Sequence, residues 1–119
     1  MKKIYYLSTC STCNRIIKDL RLDDSFEFQD IKSNKITVEQ IEQMEKMSGS
    51  YESLFSKRAM KYKSMGLKDK SLSENDIKNL IVDEYTFLKR PVIIIDHEIF
   101  IGNAKKVIEA AAESVKKSS

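Results

Sequence analysis

The sequence predicts a mixed α/β fold. Three observations carry that expectation. A β-rich run near the N-terminus, "KIYYL" (3–7), breaks directly into a helical pattern. A near-continuous apolar run, "PVIIID" (91–96), turns tightly through "DHE" into "IFI" (99–101) and reads as a hairpin. Amphipathic helical segments lie between and after these strands.

The elements follow in order. After the first strand, Ile16, Ile17 and Leu20 give a short apolar helix face. "SFEFQDI" (25–31) alternates Phe26 and Phe28 with polar neighbours, the period of a second strand. Thr37 with Gln40 three residues on is a capping box, ahead of Ile41, Met44 and Met47, and the helix stops near Gly49. "YESLFSKRAMKYKSMGL" (51–67) reads as a further helix with Leu54, Phe55, Met60 and Met65 as apolar marks and Gly66 as its stop. Ser73 with Asp76 opens another, carrying Ile77, Leu80 and Ile81. Asn103 is the expected cap of a last helix with Ala104, Val107, Ile108, Ala111 and Val115 on one face.

The resulting order is β-α-β, three helices, then β-β-α. Without the middle helices it is the order of a thioredoxin-like fold, β-α-β-α followed by β-β-α. The expectation is one thioredoxin-like domain over residues 1–119, with a helical insert at about 50–88. A chain of 119 residues is long enough for a real core and short for two ordinary domains.

Charge excludes some functions. The 21 basic and 18 acidic side chains are spread along the chain and leave a net charge of only +3, with lysine far outnumbering arginine. Direct nucleic-acid binding is therefore not expected, since it favours clustered arginine and a stronger basic excess. No apolar run approaches the roughly 20 residues that span a bilayer, and no signal-peptide pattern is present. The expectation is a cytoplasmic protein without a membrane partner.

The two cysteines, in "STCSTCNR" (8–15), sit where the first strand meets the first helix. Cys10 would occupy the cap region, facing N–H groups that no helical carbonyl satisfies, and the helix end favours its thiolate. Cys13 lies one turn on, less exposed, and suits a resolving thiol. Structural zinc would need two more ligands, and the lone histidine, His97, lies in a polar hairpin turn, so no metal is expected. A phosphatase-like loop would need arginine six positions after Cys10, where Ile16 stands and Arg15 falls one short. Incidental buried cysteines are the bland alternative; redox use of the pair is favoured.

"LKRPVIII" is the second local signal. Pro91 opening a buried strand cannot donate to the ladder, and in thioredoxin folds a cis-proline at this junction faces the reactive thiol. Arg90 beside it reads either as part of an anion site or as a surface ion-pair residue. Arg58, taken alone, reads as a solvated helix residue.

"CSTC", "LFSKRAMKYKSMGL", and "LKRPVIIID" with "IGN" together resemble the arsenate reductase family that also contains the Spx-type transcription regulators. The resemblance covers essentially the whole chain. It implies a thioredoxin-like fold with Cys10 as the attacking thiol and Cys13 as the resolving thiol of an intramolecular disulfide. Arg90 matches the family arginine before the proline, and Arg58 matches the insert arginine of the Spx-like branch. Ser11, Thr12, Arg58, Arg90 and Pro91 form the implied substrate-binding set. The strict reductase pattern has arginine where this chain carries Ser56, a basic residue where it carries Asn14, and a third arginine with no counterpart in "EIFIGNAKK".

The resemblance implies a thiol-dependent reductase acting on a small oxyanion or thiol substrate. It would hold no bound cofactor and take electrons through glutathione and glutaredoxin, or thioredoxin. The alternative is an Spx-type redox-sensing regulator that binds RNA polymerase and is switched by a Cys10–Cys13 disulfide. In that branch a glycine before the insert serves the polymerase contact, and Gly49 lies near that place. A family member with an inert Cys10 is the third reading.

Overall fold

A computed structural model describes residues 1–118. Its elements are β1 (Lys2–Tyr6), α1 (Ser11–Asp19), β2 (Glu27–Asp30), α2 (Val38–Ser48), α3 (Met60–Ser64), α4 (Glu74–Asp83), β3 (Val92–Ile95), β4 (Glu98–Ile101) and α5 (Lys105–Ser118), with three short 3-10 turns between α2 and β3. No helix among the described residues is long and apolar enough to cross a membrane.

The chain divides into two compact units. The first comprises residues 1–34 and 90–118 and contains a four-stranded sheet of order β2-β1-β3-β4. β1 runs parallel to β2, with Tyr6 opposite Asp30, and antiparallel to β3. β3 and β4 form the expected hairpin, whose two-residue turn puts Asp96 at φ 53, a left-handed conformation that aspartate tolerates better than most residues. The sheet order and the flanking α1 and α5 are those of a thioredoxin-like fold, as the element order predicts.

The core follows from strand alternation. Ile4, Ile93, Ile95 and Phe100 point to one face of the sheet, where they meet Ile16 and Leu20 of α1, Phe26, and Ala111 of α5. Val107, Ile108 and Val115 pack against this cluster, so the expected face of α5 is the one buried. The helix starts one residue later than expected: Ile108 N–H bonds the Ala104 carbonyl, which makes Ala104 rather than Asn103 the flanking residue. β3 is buried along its whole length, which is why its sequence shows no polar alternation.

The second unit, residues 35–89, is helical. The expected capping box of Thr37 with Gln40 forms on α2, and Ser73 with Asp76, read as a helix start, makes a second on α4. Gly49 ends α2 at φ 96, where a side chain would be strained. Thr37→Ala removes one of these caps and is expected to cost about 1 kcal/mol, read as a lower urea midpoint with an unchanged slope.

The stretch 51–67 differs from the single helix expected. It forms a 3-10 turn over Glu52–Leu54, an extended Phe55, and then the short α3. The reason is tertiary. Phe55 pairs with Leu88 as an isolated antiparallel bridge, with Lys89 N–H donating to the Leu54 carbonyl at 2.9 Å and Ser56 N–H to the Phe87 carbonyl at 2.6 Å. Phe55 also lies against the rings of Phe87 and Tyr62, at 5.3 and 5.9 Å between centroids. Those contacts outweigh a weak local helical preference. Met60 and Met65, read as apolar marks, are both exposed.

Candidate functional site: a thiol pair at the start of the first helix

At the carboxyl end of β1, Leu7 to Cys10 turn the chain into α1. Cys10 N–H donates to the Leu7 carbonyl at 2.9 Å, and the Cys10 carbonyl accepts the first helical bond from Asn14 N–H at 3.1 Å. Cys10 is therefore the N-cap, with φ −92 and ψ 113. No acidic residue stands in the first turn of α1 to compete with an anion there. Cys13, one turn on, is fully buried, while Cys10 is partly exposed. Both are free thiols and lie 3.6 Å apart.

The two thiols differ electrostatically. Burial works against the Cys10 thiolate, but the Cys13 N–H and thiol, the Thr12 N–H and the Arg90 charge together outweigh it. The Cys10 pKa lies below its ordinary value as a result. Its side chain makes no formed cap hydrogen bond, so these donors are poised for the anion more than engaged by the thiol. Cys13 goes the other way: burial, reinforced by Cys10, pushes it up to about 11. One thiol is prepared to ionise and its neighbour to stay protonated.

Arg90 precedes Pro91 through a cis peptide bond, at the start of β3. Its Nε and Nη1 are buried and have no hydrogen-bond partner among the described residues. Buried guanidinium donors are rarely left unpaired, because each forfeits its bonds to water. Pro91 is buried beside β3, Ser11 is exposed at the first helical position, and Thr12 presents its N–H to Cys10. Cys10, Thr12, Cys13 and Arg90 are thus linked by contact or charge. Arg58 lies in the second unit, on an exposed turn before α3 rather than within a helix. Among the described residues no group of three or more metal-ligating side chains occurs.

Three residues of this region carry contacts that sequence reasoning did not assign. Ser8 Oγ donates to Asp30 at 2.5 Å, and Asn14 Nδ2 donates to the Ser8 carbonyl at 2.9 Å. In sequence, Asn14 stands out only as a substitution for the family's basic residue. Asp30 could have been found from one signal, an acidic residue at the carboxyl end of a strand parallel to β1, where ligand sites of α/β sheets gather.

The family model for the ArsC family matches residues 5–111. The chain belongs to the ArsC family. Among solved structures, this ArsC-family chain superposes on the YFFB (PA3664) protein with a TM-score of 0.79, 16% identity, and coverage of 97% of this chain and 99% of that one. A Streptococcus mutans UA159 protein described as a possible arsenate reductase gives 0.71 at 28% identity, covering 93% and 97%. An arsenate reductase from Vibrio cholerae gives 0.72 at 18% identity, covering 94% and 95%. No curated protein matches the sequence significantly.

Proposed function

We propose that this ArsC-family protein is a thiol-dependent reductase in which Cys10 is the nucleophile and Cys13 the resolving thiol. The observation that carries the reading is the asymmetric pair: an activated, partly exposed thiol 3.6 Å from a buried, protonated one, under a guanidinium with unpaired donors. The Cys10 thiolate attacks the oxidised centre of a small oxyanion, arsenate for instance. A bond to sulfur forms and one oxygen leaves as water after protonation. Cys13 then gives up its proton and attacks the Cys10 sulfur. The disulfide forms, and the pair of electrons in the bond to the centre departs with the product, now reduced by two electrons. A thiol donor (glutathione with glutaredoxin, or thioredoxin) returns the disulfide to two thiols.

Arg90 supplies a planar fork of donors suited to an oxyanion, and the N–H groups at Ser11 and Thr12 suit the same charge. Pro91 completes the proposed binding set. Arg58 joins it on the resemblance alone, and Arg58→Ala tests that assignment through KM. NADPH consumption with arsenate and each donor system is expected to be present in the native protein and lost in Cys10→Ser. Absence of turnover with every donor would remove the reductase reading.

The regulator reading rests on the same thiol pair. It requires retention of an RNA polymerase subunit by the immobilised protein, changed by oxidation of Cys10 and Cys13. Gly49, its proposed contact residue, has the geometry of an ordinary helix stop.

A further inference from the structure

Taking Cys10 as the nucleophile, and so resting on the reading above, we infer that Asp30, Ser8 and Asn14 form a brace that fixes the loop between β1 and α1. All three are positioning residues. They act on the thiol by holding the backbone that carries it.

The loop from Leu7 to Cys10 contains neither glycine nor proline, so no residue in it presets a turn. Instead, every polar group of Ser8 is taken. Its N–H and Oγ donate to the two carboxylate oxygens of Asp30 at 3.4 and 2.5 Å, and its carbonyl accepts from Asn14 Nδ2 at 2.9 Å. Asp30 is itself fixed, because it lies opposite Tyr6 in the parallel ladder and Ile31 N–H bonds the Tyr6 carbonyl at 2.9 Å. The end of β2 is thereby tied through Ser8 to the first turn of α1.

Ser8 and Asn14 are exposed, and hydrogen bonds formed in water add little to global stability. What they do set is direction. The Cys10 sulfur reaches the Thr12 and Cys13 N–H groups only while Cys10 keeps its extended cap conformation, two residues from Ser8. A freed Ser8 lets that segment rotate, and the thiolate then loses the donors that favour it.

The test is the titration of Cys10 in the reduced full-length protein, followed by iodoacetamide labelling at Cys10 across pH. Asp30→Asn and Asn14→Leu are each expected to raise the midpoint. Labelling near neutral pH should slow about three- to tenfold, the loss of thiolate that half to one pKa unit represents. The sign is diagnostic. If Asp30 acted only through its negative charge, Asp30→Asn would lower the midpoint and Asn14→Leu would leave it in place. Asp23→Asn is the control, since Asp23 holds Ser25 in a similar way elsewhere and should not move Cys10.

A midpoint unchanged or lowered in both variants overturns the brace, whatever the thermal midpoint does. If Asp30→Asn fails to fold, Asn14→Leu and Ser8→Ala decide. The readout needs no substrate. A native protein without turnover whose Cys10 still titrates higher in the variants refutes the reductase reading and leaves the brace standing.

Discussion

Labelled with iodoacetamide at pH 7.5, the reduced protein is expected to react at Cys10 more than about tenfold faster than at Cys13. The thiolate is the reacting species, and the greater intrinsic reactivity of a high-pKa thiolate offsets only part of a difference in population. Cys10 lies below its ordinary value and Cys13 is pushed up to about 11, so at this pH far more of Cys10 is ionised. Burial of Cys13 adds a steric barrier in the same direction. Equal labelling of the two cysteines would remove the distinction between attacking and resolving thiol.

The same shifts fix the sign of two stability effects. Cys13 has a raised folded pKa, so the fold is favoured while it stays protonated. That contribution is complete below the unfolded thiol range and is lost as pH rises towards about 11. Cys10 has a lowered pKa, and its contribution is present above the unfolded value and lost as pH falls. Cys10→Ser should abolish turnover yet leave the fold as stable or more so. Serine is a strong N-cap, and Cys10 forms no cap bond through its side chain. A thermal midpoint raised in an inactive variant would mark a position kept for chemistry at some cost in stability.

Arg90→Met is expected to raise stability and remove oxyanion binding. Buried donors without partners disfavour the fold by about 1–3 kcal/mol each, and an apolar side chain of similar length relieves that. Each charge-assisted bond to a bound oxyanion is worth roughly 1.5–3 kcal/mol, so losing two should raise KM by about a hundredfold or more. The two effects separate cleanly in a thermal-shift experiment. Phosphate or arsenate should raise the midpoint of the native protein. It should leave Arg90→Met, already higher without ligand, unmoved. An equal anion-induced shift in both would show that Arg90 does not bind the oxyanion.

Much of this site was legible from local chemistry. Two thiols one turn apart after a strand need only the strand-to-helix junction to become an N-cap thiol and a sheltered partner. Both the junction and the capping boxes are set by neighbours within four residues. Arg90 was legible through Pro91, because a proline at the start of an apolar strand marks a special place in the sheet. The unassigned members, Ser8, Asn14 and Asp30, look like ordinary polar surface residues in sequence. The Ser8–Asp30 contact spans 22 residues and exists only because β2 lies parallel to β1.

The sequence by itself determined the element order, the helix starts at Thr37 and Ser73, the stop at Gly49, the hairpin and the placement of the cysteine pair. Each depends on capping groups, period or turn residues close along the chain. Tertiary structure alone decided that 51–67 breaks at Phe55, since the bonds that pull it extended come from residues 87–89. It added the full burial that pushes Cys13 up to about 11 and the Arg90 charge that supplements the local N–H groups at Cys10, because both depend on what the fold packs around each sulfur. It also left two guanidinium donors of Arg90 without partners. Short-range bonds are written into neighbouring residues, whereas desolvation and long-range charge arise only once distant segments meet.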